Sequence, residues 1–184
     1  MTIWNIARAC KGHLAVPAGK HTGTCPAAGM AVIRGYSGKE AAGIVIDSRK
    51  VEPGDIFVAI RGERVDGHQF IREVFDKGAI AVVCEEEPEE LPGPCIRVED
   101  SLAALRQIAA FYREQMPIPI VGITGSVGKT STKEFVASVL AQKYKTHKTQ
   151  GNFNNEIGVP LTLLAMPEDT EAGQIQGLSL IHIS

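Results

Sequence analysis

Thr124-Gly125-Ser126-Val127-Gly128-Lys129-Thr130-Ser131 gathers glycines, hydroxyls and one ammonium group directly behind an apolar run, Ile118 to Ile123. Residues of these types in this order suit phosphate. Gly125 and Gly128 let the backbone turn tightly and present N–H groups to anionic oxygens, and a helix beginning at Lys129 adds the positive end of its dipole. Lys129 supplies a point charge for the β- and γ-phosphates, and the Thr130 hydroxyl is a ligand for Mg²⁺ bridging phosphate oxygens. Gly125, Ser126, Val127, Gly128, Lys129, Thr130 and Ser131 are the expected nucleotide contacts, Lys129 and Thr130 the catalytic pair and Thr130 the metal ligand. ATP or GTP is implied. The general G-x-x-x-x-G-K-[ST] spacing is not met, since Ile123 stands where its first glycine belongs and Gly122 is one place early. A bare glycine turn with a surface lysine is the alternative, and a buried strand leading straight into Gly-Lys-Thr-Ser argues against it.

Positioning such a loop needs a strand before it and a helix after it. Ile118 to Ile123 reads as the strand and Lys129 to Gln142 as the helix, with Phe135, Val136, Val139 and Leu140 expected on its buried side. Upstream, the stiff segment Pro117-Ile118-Pro119 ends a helix announced by Asp100 or Ser101 as N-cap, whose Leu102, Leu105, Ile108, Ala109 and Tyr112 recur at helical spacing. A domain boundary is therefore expected near residue 117. Before it, apolar runs at Ile44 to Ile46, Ile56 to Ile60, Ala79 to Cys84 and Cys95 to Val98 suit buried strands. A helix from His68 to Lys77 falls between the second and third, with Phe70, Ile71, Val74 and Phe75 as its apolar stripe and Gly78 as its C-terminal stop. The first forty residues offer only an amphipathic turn around Ile3, Ile6, Ala7 and Cys10. The fold class is α/β: a small N-terminal α/β domain over 1–117, then the start of a P-loop ATPase α/β domain over 118–173.

Composition narrows the partners. The chain of 184 residues is 44% hydrophobic and 22% charged, a balance that supports a buried core. A formal net charge of −2 gives no broad attraction for nucleic acid or anionic lipid, so any anion site is local. Cys10, Cys25, Cys84 and Cys95 lack C-x-x-C spacing and paired histidines, and they read as reduced thiols rather than zinc ligands or disulfides. The run Glu85, Glu86, Glu87, Glu89, Glu90 reads as a solvated loop. No apolar run reaches the length of a membrane span, and Lys11 and Lys20 interrupt any signal-peptide core, which makes the cytoplasm the expected compartment.

The form T-G-x-x-G-K-T-[ST] after a V-G-I strand resembles the Mur ligase and folylpolyglutamate synthetase superfamily. The resemblance implies ATP and Mg²⁺ as cofactors, and a reaction in which ATP phosphorylates a carboxylate that an amine then attacks. Ile46-Asp47-Ser48-Arg49, Pro53 to Gly62 and Asp66-Gly67-His68-Gln69-Phe70 resemble the UDP-sugar-binding N-terminal domain of that family. It implies that Ser48 and Arg49, with Asp66, Gly67 and His68, face a uridine diphosphate. A guanidinium forks well onto diphosphate, yet Asp-Gly-His before a helix is equally a cap. Thr149 to Leu164, with its Asn-Asn-x-Ile-Gly-x-Pro run, resembles the branch that joins D-alanyl-D-alanine to a UDP-N-acetylmuramoyl tripeptide. Asn152, Asn154 and Asn155 there either bind nucleotide or muramoyl groups or hold the loop. His147, on a short strand, reads as structural.

A monomer is expected, with no nucleic-acid partner and no membrane insertion. The family would continue past Gly173 into a buried strand ending in an acidic magnesium ligand. Residues 174–184 do not read that way and are expected to be a non-native tail, leaving a fragment that is inactive alone and poorly soluble beyond residue 117. Two other readings stay open: the family's branch that adds the third amino acid to a muramoyl dipeptide, and a P-loop nucleotide-binding protein outside the ligases.

Overall fold

The computed structural model describes residues 1–17, 38–62, 65–125, 127–149 and 155–176. The chain divides into two compact units, Met1–Ile108 and Ala109–Ser184.

The first unit is built on a five-stranded sheet of order β1-β5-β4-β3-β2. Helix α1 (Ile3–Ala9) leads in; Thr2 caps it by accepting the Asn5 N–H at 3.2 Å, and Ile3 and Ile6 are fully buried. Strand β1 (His13–Ala15) runs antiparallel to β5 (Cys95–Arg97), while β2 (Ile44–Val45), β3 (Ile56–Val58), β4 (Ala81–Cys84) and β5 are mutually parallel. The expected strands are all present, each trimmed at its ends. Their apolar runs are continuous because β3 and β4 are buried on both faces. The expected helix from His68 splits into a 3-10 turn (Gly67–Phe70) and α2 (Ile71–Asp76), since Asp66 caps the turn first by accepting the His68 N–H. Ile71 and Val74 then pack with Phe57, Val82 and Cys95, and Gly78 ends the element at φ +100°. Each large apolar side chain buried here contributes about 1.5–3 kcal/mol.

Helix α3 (Ser101–Glu114) starts where Asp100 Oδ1 accepts the N–H groups of Leu102 and Ala103, so Asp100 is the cap. The division between units falls within α3, at Ile108 and Ala109. Its last turn belongs to the second unit: Tyr112 donates to the Met166 carbonyl at 2.8 Å, and Arg113 donates to the carbonyls of Met116 and Ile118.

The second unit has a three-stranded parallel sheet of order β6-β8-β7, formed by β6 (Ile120–Ile123), β7 (Thr146–Lys148) and β8 (Ala172–Gln176), with helices α4 (Lys129–Leu140) and α5 (Gly158–Leu164). Ala109, Met116, Leu163, Met166 and Ile175 form its core. One expectation is corrected. Phe135 and Val139 are 76% and 68% exposed, whereas Lys133 and Ala137 are the buried residues of α4. The helix is rotated so that Lys133 and Ala137, flanked by the partly buried Val136 and Leu140, meet the sheet, and Phe135 and Val139 face outward. Gln174 to Gln176, the first residues of the expected tail, form the end of the central strand, where neighbours on both sides satisfy the backbone. The amide side chain of Gln174 and the Oε1 of Gln176 are buried without hydrogen-bond partners. Residues 177–184 lie outside the described residues.

Candidate functional site

Strand β6 delivers the chain to Thr124 and the glycine loop, and α4 carries it away. Gly125 and Gly128 adopt φ +140° and +80°, a region closed to most side chains. Gly128 occupies the N-cap of α4 and offers no side-chain cap, so the N–H groups of the first turn stay available to an external acceptor. Lys129 Nζ donates to the Gly125 carbonyl at 2.5 Å, folding its ammonium over the loop. Thr130 and Ser131 stand exposed beside it, and Val127 is 91% exposed. The loop is an open cradle of backbone donors with one cation at its rim. Ser126 lies outside the described residues.

In the first unit, parallel pairing of β2, β3 and β4 places the segments after their C-terminal ends on one edge of the sheet, the edge where α/β sheets hold ligands. Ser48 and Arg49 follow β2; Asp66, Gly67 and His68 follow β3; Glu85 and Glu86 follow β4. Ser48 is buried, and its carbonyl accepts from Lys77 Nζ at 2.8 Å. Arg49 is open to solvent and forks onto Asp47 at 2.9 and 2.8 Å, which holds the Asp47 carboxyl down at about 2. A phosphate would have to take that guanidinium from Asp47.

His68 is wired into the backbone. The Glu85 N–H donates to Nε2 at 2.9 Å, which leaves the proton on Nδ1, 2.6 Å from Asp66 Oδ1. The backbone and side chain of His68, acting on Asp66, hold that carboxyl below its usual range. Asp66 and His68 thus act first as a cap and a brace between β3 and β4. Gly67 is needed for space, since an added Cβ would lie 2.9 Å from both the N and O of Ile60. Arg61 joins the same edge, 3.3 Å from Asp66 and 2.8 Å from Glu86. The acidic run is therefore partly tied down: besides Glu86, Glu85 accepts the Ser101 N–H at 3.0 Å and Glu90 pairs with Arg72. The run's composition signalled only solvation; the partners come from sequence-distant elements.

Asn155 accepts the Gly158 N–H at 2.7 Å, which orders the start of α5. Asn152 and Asn154 lie outside the described residues, as does Cys25; Cys10, Cys84 and Cys95 are buried free thiols. His147 is half-buried on β7, and burial pushes its pKa down. No helix among the described residues is long and apolar enough to cross a membrane.

A parallel strand, a glycine loop and a helix carrying Lys-Thr-Ser, behind a separate α/β unit, define a two-unit α/β protein of the P-loop class. Comparison with known proteins takes the classification further. Residues 40–113 match the Mur ligase family catalytic domain and residues 123–175 the Mur ligase middle domain, so the chain belongs to the Mur ligase family. It is 40% identical to the UDP-N-acetylmuramoyl-tripeptide--D-alanyl-D-alanine ligase of Bacillus subtilis over 95% of this chain and 35% of that protein. Against the enzyme of the same name from Synechocystis it is 51% identical, over 68% of this chain and 28% of that protein. The fold is similar to MurF from Acinetobacter baumannii, with a TM-score of 0.77 and 31% identity over 96% of this chain and 35% of that one. A MurF ligase from Thermotoga maritima solved in complex with ADP gives a TM-score of 0.67 at 36% identity, over 75% of this chain and 32% of that one. The chain thus spans about a third of the length of the relatives it matches.

Proposed function

We propose that this chain is the nucleotide-sugar-binding and phosphate-binding portion of an ATP-dependent ligase that joins D-alanyl-D-alanine to UDP-N-acetylmuramoyl tripeptide in peptidoglycan synthesis. The relatives that carry that name support the reaction. The observation that carries the reading is the loop from Gly125 to Lys129, with two positive-φ glycines and an uncapped helix start. The ADP complex of a relative agrees with a nucleotide there.

ATP supplies the phosphoryl group that turns a carboxylate into an acyl donor for an amine. The residues of this chain do the holding. Backbone N–H groups at the start of α4 cradle phosphate oxygens, and the dipole of the helix favours their charge. The Lys129 ammonium leaves the Gly125 carbonyl for the terminal phosphates, where it offsets charge that builds as the phosphoryl group moves. Ser126, Val127, Thr130 and Ser131 complete the contacts of the loop with the phosphates.

On the first unit's carboxyl edge, Ser48, Arg49, Asp66, Gly67 and His68 form the proposed uridine diphosphate end. Arg49 meets the diphosphate, and the Asp66–His68 brace shapes the wall. Asn152, Asn154 and Asn155 are proposed to approach the nucleotide or muramoyl groups. The whole enzyme works as a cytoplasmic monomer on these small substrates.

Calorimetric titration of the chain with ADP, UDP-N-acetylmuramoyl tripeptide and UDP-N-acetylmuramoyl dipeptide tests the reading. ADP and the tripeptide are expected to bind at separate sites, the dipeptide more weakly. Lys129→Ala should weaken ADP about tenfold or more while leaving the tripeptide unchanged. Equal ADP affinity in the variant would sink the assignment of the loop.

A further inference from the structure

Phosphate-loop proteins hold Mg²⁺ with a loop hydroxyl and a carboxylate at the end of a neighbouring strand. The hydroxyl is present here as Thr130. The parallel register of β6 and β8 sets Ile123 level with Gln176, so Gln176 is the β8 residue beside the start of the loop. The three strands of this sheet end at Ile123, Lys148 and Gln176, and none of these is an acid. Among the described residues, no group of three or more His, Cys, Asp or Glu side chains is placed to hold a metal ion. The side chains at these three strand ends do not fit a divalent cation. Mg²⁺ sheds its water reluctantly and is held chiefly by carboxylates and substrate phosphates, and a single neutral amide is a poor replacement.

Charge on the same face points the same way. Ile175 packs with Leu163 and Met166, so strand alternation turns Gln174 and Gln176 to the opposite side, against which α4 packs. There Lys133 is 4% exposed, one helical turn beyond Lys129. Its Nζ lies 3.4 Å from Glu134 Oε1, and Lys148 pairs with the other oxygen of that carboxylate at 2.6 Å. The Lys129 ammonium and an uncapped helix start thus stand at the loop, an arrangement that favours phosphate. Gln176 itself is 2% exposed, with Oε1 unpartnered, which leaves its position able to accept the nearly isosteric glutamate.

We infer that this chain binds nucleotide phosphate by the Lys129 ammonium and backbone N–H groups with little contribution from a divalent ion, because Gln176 stands where the metal-binding carboxylate would be needed. The inference rests on the phosphate-loop reading above. Its test is ADP titration of the 184-residue chain in excess MgCl₂ and in EDTA, for the native sequence and for Gln176→Glu. The native chain should bind ADP with affinities within about threefold of each other in the two conditions, and Gln176→Glu should bind about tenfold or more tighter with MgCl₂ than without. Native binding that strengthens about tenfold with MgCl₂ would overturn the inference. So would a folded Gln176→Glu that still binds ADP in EDTA but gains nothing from the ion. If Gln176→Glu does not fold, the native comparison decides alone. Absence of ADP binding in every condition overturns the phosphate-loop reading and this inference together, a result distinct from binding that depends on Mg²⁺.

Discussion

Two histidines show how alike residues take unlike roles once their partners are known. His68 bridges Asp66 and the backbone of Glu85, so it holds the carboxyl ends of β3 and β4 in register. His68→Ala leaves the partly buried Glu85 N–H without its acceptor and should cost the first unit about 1 kcal/mol in urea unfolding; an unchanged midpoint would show that the brace carries no stability. His147 is kept neutral by burial, its folded pKa lying below the ordinary 6.5. The folded state therefore binds fewer protons than the unfolded chain as pH falls. The stability His147 contributes is complete above about pH 6.5 and is lost as pH drops through the lower folded value. The second unit's urea midpoint should accordingly decline between about pH 7.5 and pH 5.5, and His147→Gln should flatten that decline. At this scale the glycine loop between β6 and α4 was legible in sequence, because its glycines mark a positive-φ turn by their type. The engagement of Arg49 with Asp47 was not, since two neighbouring residues of opposite charge reveal neither rotamer.

Helices and turns were easier to place than to orient. The 3.6-residue spacing announced α4, but its burial side depends on what stands opposite. β8 presents glutamines, and the helix answers with Lys133 and Ala137, leaving Phe135 and Val139 in solvent. Phe135→Ser with Val139→Ser should therefore raise solubility while shifting the second unit's midpoint by less than about 0.5 kcal/mol; a loss of several kcal/mol would mean that these side chains are packed in solution. Gly67 makes the opposite case. Its turn approaches Ile60 too closely for any Cβ, so Gly67→Ala should destabilise the first unit by about 1–3 kcal/mol and disturb the Asp66 to His68 edge. Differential scanning fluorimetry of the variant would register the first effect as a lowered melting temperature.

Over the whole molecule, two separate cores predict two unfolding steps. Leu105 is fully buried in the first unit and Met166 is 2% exposed in the second. Leu105→Ala and Met166→Ala should each lower one transition by about 2–5 kcal/mol and leave the other in place; a single transition displaced by both would refute the independence of the cores. Apart from β1, α5 and β8, which it missed, the sequence by itself determined the α/β class, the order of strands and helices, the glycine loop and the family resemblance. All of these rest on local periodicity or on residues adjacent in the chain. It placed the boundary near residue 117 from Pro117 and Pro119, whereas the contacts divide the chain at Ile108 and Ala109 because Tyr112 and Arg113 reach forward to Met166 and Ile118. Only the tertiary structure decided that Gln176 ends the strand beside the loop, that Lys133 is buried, and that Asp66, His68 and Glu85 form one brace. Each of those facts joins residues far apart in sequence, and such pairings are fixed by strand register and the packing of helices on sheets, which no local pattern encodes.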